Sequence, residues 1–207
     1  MNRVTVSFAG FDQAGFANAG LAGHDRLTEP PPWGKALGGF VRKVLGELGK
    51  DNRDISVLLC DDKTITEFNR RYRRKNEATD ILSFVRAEGD CFPNPNRRLA
   101  AERRHMGDIA VSLDTLRENA RRFGICEDEE LRRLLIHGIL HLDGMDHKTN
   151  KKTEPMLRLQ EKILSDLKGQ RILSKNGLSY RSESCKILCR VFLTTGPSKT
   201  LKKISRR

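Results

Sequence analysis

His137-Gly138-Ile139-Leu140-His141-Leu142-Asp143-Gly144-Met145-Asp146-His147 holds three of the chain's five histidines. The stretch ends a run from Glu127 to Leu142 that reads as one helix, with its acids in the first turn where they suit the helix dipole. On that helix His137 and His141 are one turn apart and share a face. Gly144 follows where a helix commonly ends in a left-handed residue. Such a reversal carries the chain back and brings His147 to the same point. Three neutral imidazoles gathered this way suit an open tetrahedral zinc site, with a fourth position left for water.

The spacing H-x3-H-x5-H, with glycine three residues after the second histidine, is the metzincin protease layout H-E-x-x-H-x-x-G-x-x-H with one change. Gly138 stands where the protease has glutamate, its general base. The metal scaffold is present and the base for peptide hydrolysis is missing.

Around this stretch the chain alternates strands and helices. Val4, Val6 and Phe8 alternate as in a strand. Residues 9–32, ending in Pro30-Pro31-Pro32, read as a loop insertion. Trp33 to Leu48 carries a helical apolar stripe, and Gly49 stops it. Ile55 to Cys60 is apolar enough for a central strand. Asp61 or Asp62 caps a helix through about Tyr72. Asp80 to Val85 and Gly107 to Leu113 read as strands, with a surface excursion at 86–104 between them. Asp114 caps a helix to Phe123 that Gly124 ends. A last helix, Thr153 to Leu167, turns Met156, Leu159, Ile163, Leu164 and Leu167 inward. The expected fold class is α+β: a single domain over residues 1–168, with a small mixed four-stranded sheet packed with about five helices.

The whole-chain charge of +12 misleads. Residues 168–207 hold eleven Lys or Arg and a single acid, Glu183, a net of +10 that leaves the first 167 residues near +2. Residues 169–207 therefore read as a basic, disordered C-terminal extension. The five cysteines are scattered and odd in number, which fits free thiols in a reducing compartment; Cys185 and Cys189 lack a second pair to complete a metal site. Residues 1–30 contain no apolar signal-peptide core, and no run approaches the roughly 18 residues of a membrane span. The expected location is the cytoplasm, away from membranes.

Arg70-Arg71-Tyr72-Arg73-Arg74-Lys75 packs five cations into six residues around one aromatic ring. A charge run is usually a solvated helix end. Phosphodiester cleavage, however, needs a cation fixed on the phosphate, and a ring among cations offers a base somewhere to stack. Asp80 and Asp108 each open a strand after a turn-compatible residue, which is ordinary turn chemistry. Either is also placed to accept a hydrogen bond from the outer nitrogen of a ligand histidine.

Taken together, Phe68-Asn69-Arg70-Arg71-Tyr72-Arg73, Ala78-Thr79-Asp80-Ile81-Leu82-Ser83-Phe84, Gly107-Asp108-Ile109-Ala110-Val111-Ser112 and the histidine stretch resemble the YbeY family of bacterial rRNA maturation factors. The likeness runs from about Trp33 to Leu167. It implies a zinc-dependent, single-strand-specific endoribonuclease acting in 16S rRNA 3′-end maturation and ribosome quality control. By resemblance the ligands of one zinc ion are His137, His141 and His147, and the functional arginine is Arg73. The implied partners are rRNA or single-stranded RNA, ribosomal small-subunit proteins and an Era-type GTPase. With Gly138 in place, the proton acceptor stays open between the metal's own water, an aspartate such as Asp146 and the RNA 2′-OH. Two rival readings are a zinc-binding ribosome-assembly factor without catalysis and a metzincin-like metalloprotease. The insertion at 9–32 and the extension past 169 depart from the family pattern.

Overall fold

The computed structural model describes residues 1–9, 33–85 and 104–173. The insertion, the surface excursion and all but the first residues of the basic extension, Cys185 and Cys189 included, lie outside the described residues. The elements run β1 (Arg3–Ala9), α1 (Gly34–Glu47), β2 (Arg53–Cys60), α2 (Asp62–Phe68), a π-helical turn (Asn69–Arg73), β3 (Ile81–Val85), β4 (Arg104–Ser112), α3 (Leu113–Phe123), α4 (Glu127–Leu142) and α5 (Pro155–Asp166). The four strands form one sheet in the order β1-β2-β4-β3. β1, β2 and β4 run parallel and β3 pairs antiparallel with β4, so the sheet is mixed, as expected.

Alternation along the strands splits the sheet into two apolar faces. Ile55, Val57, Leu59, Ile109 and Val111 point into the main core with α1, α4 and α5. Cys60, Leu82 and Ala110 point the other way, onto Ile65 and Phe68 of α2 and Phe84 of β3. β2 lies between β1 and β4, and its second half, Val57 to Cys60, is apolar on both faces. Burial pushes the Cys60 thiol up to about 12, helped by the charges of Asp61, Asp62 and Asp114, so it stays an inert core thiol.

Caps differ from expectation in one place. Asp61 caps α2, accepting from the Thr64 N–H at 2.8 Å. Ser112, and not Asp114, caps α3. Asp114 instead accepts from the Asp62 N–H at 3.3 Å, so α2 and α3 share their opening turns. β4 also begins earlier than its glycine suggests. The pairing with β2 slips at Met106, and Gly107 sits at that bulge with φ of 148°. A β-carbon there would fall 2.1 Å from the Phe84 carbonyl oxygen, so only glycine fits. Beyond α5 the chain stays attached: Ile172 and Leu173 are buried, and both their N–H groups donate to Asp128 Oδ1 at 2.8 Å. The buried Asp128 also pairs with Arg132, so the opening turn of α4 holds the start of the basic extension.

Candidate metal centre

α4 is buried along most of its length and packs on both the sheet and α5. Its end builds the site. Gly144, at φ of 88°, closes it: the Gly144 N–H donates to His141 O and the Met145 N–H to Leu140 O, both at 3.0 Å. That pair of bonds is a Schellman termination, which satisfies the last carbonyls and turns the chain back. His147 thereby comes to the face that carries His137 and His141. The ring centroids stand 4.6, 5.1 and 5.5 Å apart, and one nitrogen from each ring lies within 4.8 Å of the others. The structure brings all three histidines together, as the spacing requires.

The tautomers follow from the outer nitrogens. His141 Nδ1 faces the Met145 carbonyl at 3.0 Å and His147 Nδ1 faces the Thr149 carbonyl at 3.1 Å. A carbonyl only accepts, so each Nδ1 carries the proton. His137 Nδ1 faces Gln160 Oε1 at 2.8 Å. The Gln160 amide orientation is fixed in turn, because its NH2 donates to Glu161 Oε1 at 3.1 Å and Arg133 Nε donates to the same oxygen at 3.2 Å. All three Nε2 atoms therefore present lone pairs.

His137 Nε2 and His141 Nε2 stand 3.1 Å apart. Two lone pairs at that range repel unless a cation lies between them. Nitrogens about 2.0–2.1 Å from a tetrahedral ion would be roughly 3.3 Å apart, close to what is seen. Burial lowers the proton affinity of both His137 and His141, which keeps them neutral and lessens the competition of protons with a metal. The donor set fits a divalent transition metal.

The outer nitrogens do not go to Asp80 or Asp108. Asp80 Oδ1 accepts from its own strand at Ile81 N, and its Oδ2 from Asn119. Asp108 is exposed and pairs with His105 at 3.1 Å. Asp80 fixes the start of β3, and Asp108 is a mid-strand residue of β4 paired with a histidine outside the cluster. Gln160 is the residue the sequence reading missed. Its one signal was a polar side chain on the inward stripe of α5, between Met156 and Ile163. Gln160→Ala is expected to weaken metal binding by about 10- to 100-fold, the usual worth of such a supporting hydrogen bond, while Gln160→Glu restores it. Competition with a chromogenic chelator measures this, and equal affinity in Gln160→Ala would remove Gln160 from the site.

Arg73 reaches the same place from the other side of the sheet edge. It lines a hollow of about 340 Å³ with Ser83, Val85, His141, Gly144, Met145 and Asp146. The π-helical turn puts it there. Asn69 anchors that turn: it is buried, its Nδ2 donates to Glu77 O at 2.8 Å, and its own carbonyl accepts from Lys75 N at 3.3 Å. Arg74, at φ of 59°, ends the turn in the left-handed region. The other cations disperse. Arg70 faces a different hollow beside Asp62 and Glu67, Arg71 lies over the Tyr72 ring, and Lys75 pairs with Glu77.

Gly138 is buried against the sheet. A β-carbon there would stand 2.9 Å from Ile81 Cδ1, 3.0 Å from Ile109 Cδ1 and 3.2 Å from Ser83 Oγ. A glutamate there would have to displace the Ile81 and Ile109 side chains from the contact between α4 and the sheet. Gly138→Glu is expected to destabilise the domain by more than about 3 kcal/mol, from overpacking plus an unpaired buried charge. It should confer no proteolysis of casein. A thermal melt unchanged from wild type would contradict the packing argument.

A helix end that aims three imidazole lone pairs at one point, held against a small mixed sheet, defines the class: an α+β domain built around a trihistidine metal pocket. Within that class the chain belongs to the Endoribonuclease YbeY family, whose model matches residues 33–168. A Treponema denticola protein named Endoribonuclease YbeY is 45% identical over 134 residues, 64% of this chain and 83% of the relative. Relatives of the same name from Treponema pallidum (43% over 136 residues, 66% and 82%) and Persephonella marina (40% over 129 residues, 62% and 79%) match similarly. The solution structure of a Thermotoga maritima protein, 27% identical, aligns over 82% of this chain and 90% of that one with a TM-score of 0.44.

Proposed function

We propose that the chain is a zinc-dependent, single-strand-specific endoribonuclease acting in 16S rRNA 3′-end maturation and ribosome quality control. The observation that carries this reading is that Arg73 and His141, one of the three clustered histidines, line one hollow. Its relatives' shared name, Endoribonuclease YbeY, supports RNA as the substrate. His137, His141 and His147 would hold the ion through Nε2, and an all-imidazole set favours zinc. Bound there, zinc supplies Lewis acidity toward a phosphate oxygen or a water.

The rest is the work of the chain's own groups. Arg73 grips the phosphate and offsets the charge that builds on it, since a guanidinium can donate to two oxygens at once. Among the described residues, Asp146 is the one acid lining the hollow. Its Oδ1 is held by the His147 N–H at 2.8 Å, which leaves Oδ2 to take a proton from the nucleophile. Attack by the RNA 2′-OH would leave a cyclic phosphate, and attack by water a linear one, so product-end analysis separates the two. Residues 1–168 form the catalytic unit in this reading, with 169–207 as its basic extension. The ribosomal small-subunit proteins and the Era-type GTPase are proposed partners in the cytoplasm, on the family resemblance alone. No helix among the described residues is long and apolar enough to cross a membrane.

The test incubates zinc-loaded protein with single-stranded RNA, duplex RNA of the same sequence, single-stranded DNA and casein. Cleavage confined to single-stranded RNA is expected. Proteolysis without RNA cleavage would overturn the reading.

A further inference from the structure

Tyr72 is 59% exposed, yet its ring is not loose. It stands edge-on to Phe84 with centroids 5.0 Å apart, and 6.4 Å from Phe68, which also meets Phe84 at 6.4 Å. Phe68 and Phe84 pack in turn on the buried cluster of Cys60, Ile65, Leu82 and Ala110. An aromatic ring anchored from below and open above is a rigid platform that loses little entropy on binding.

Its position relative to the metal pocket follows from strand geometry. Ser83 and Val85 line the hollow on one face of β3, while Phe84 points to the opposite face. β3 is the last strand in the sheet order. The π-helical turn therefore wraps that edge, and its consecutive residues Arg73 and Tyr72 serve the two sides. The two residues are consecutive, with Cα atoms about 3.8 Å apart, so a strand laid over the edge of β3 can touch both.

We propose that Tyr72, seated on Phe84, is the subsite for one unpaired nucleobase of the RNA whose phosphate Arg73 holds. The inference rests on the RNA reading above and adds to it the group that selects unpaired strands. Charge decides the occupant. In sequence Tyr72 sits between the exposed cations Arg71 and Arg73, with Arg74 just beyond. The Arg71 guanidinium carbon lies 5.7 Å from the ring centroid and gives a second planar surface for stacking. An apolar protein partner would have to strip water from these cations, whereas RNA brings its own anions. A base still paired in a duplex must give up a few kcal/mol of pairing and stacking to reach the ring, so the subsite favours single strands without reading sequence.

The test measures equilibrium binding of the full-length, zinc-loaded protein to a fluorescent single-stranded RNA, read by anisotropy before cleavage is detectable on a gel. Tyr72→Ala is expected to weaken binding roughly 5- to 150-fold, the worth of one stacked base, while Tyr72→Phe and Tyr72→Trp bind as the wild type does. Thermal melts of all three variants exclude unfolding as the cause. A second series moves one abasic nucleotide along the RNA. One position should cost the wild type as much as Tyr72→Ala does, and the same position should cost Tyr72→Ala nothing further. Wild-type affinity in Tyr72→Ala, or identical abasic profiles in both proteins, overturns the base subsite and leaves the ledge to a protein partner. RNA cleavage surviving in that case shows that the enzymatic reading stands without it. Absence of any RNA binding by the wild type removes both.

Discussion

His141→Ala loses metal and activity together and keeps its fold. Structural zinc sites with four ligands bind with about 10–16 kcal/mol, so one ligand is worth on the order of 2.5–4 kcal/mol, about 10²- to 10³-fold in affinity. Cleavage should fall at least as far as occupancy does. The folding half of the prediction is the more discriminating. His141 is only half-buried, in the last turn of α4, where alanine is the best helix former. Nε2 lone pairs of His137 and His141 held 3.1 Å apart repel when no ion lies between them, and the substitution removes that repulsion. Metal-free His141→Ala should therefore melt no lower than metal-free wild type. Chelating the wild type should likewise abolish activity while leaving far-UV and near-UV spectra in place, since α4 is seated by its buried leucines and isoleucines and not by the ion. Metal analysis, calorimetry and cleavage assays read all three. If chelation unfolds the domain, the ion is structural and the rival reading of a non-catalytic assembly factor gains. If His141→Ala cleaves at the wild-type rate, the site is wrong.

How much of this was legible beforehand depends on how local the cause is. The helix from Glu127 to Leu142, its glycine stop and the approach of His147 all follow from signals within about twenty residues. The central place of Ile55 to Cys60 follows from its composition. The π-helical turn was not legible. Asn69 to Arg73 has ordinary helix-forming composition, and the change of register is fixed by Asn69 reaching Glu77 and by Tyr72 resting on Phe84. Nor could the spacing choose Arg73 among its neighbours. The family resemblance named it, and of that run Arg73 is the residue that lines the hollow beside His141. Asp80 and Asp108 were plausible second partners for histidine because aspartate serves both turns and metal sites, and only the fold separates the uses. Gly138 shows the two levels meeting. As sequence it marks a missing base; as structure it marks where α4 touches Ile81, Ile109 and Ser83, so that a base restored there would have to push those side chains aside.

That leaves Arg73→Ala as the sharpest separation of chemistry from metal binding. Arg73 touches no ligand histidine through a hydrogen bond, and its charge, if anything, opposes protonation of His141. Zinc content should be unchanged. RNA affinity should fall little, because Arg70, Arg71, Arg74 and Tyr72 remain to hold the strand. The turnover number should fall by about 10²- to 10³-fold, the loss seen when one preorganised donor to a developing oxyanion is removed. Arg73→Lys should recover only part of that loss, since an ammonium supplies charge without the two-pronged grip on phosphate. The balance between kcat and KM is the diagnostic. A fall confined to KM would make Arg73 one more backbone contact, and full activity would remove it from the site. A fall in kcat with zinc and binding intact would place it on the phosphate as the bond breaks. The wrapped edge of β3 would then serve to deliver one cation from one side of the sheet to a metal pocket built on the other.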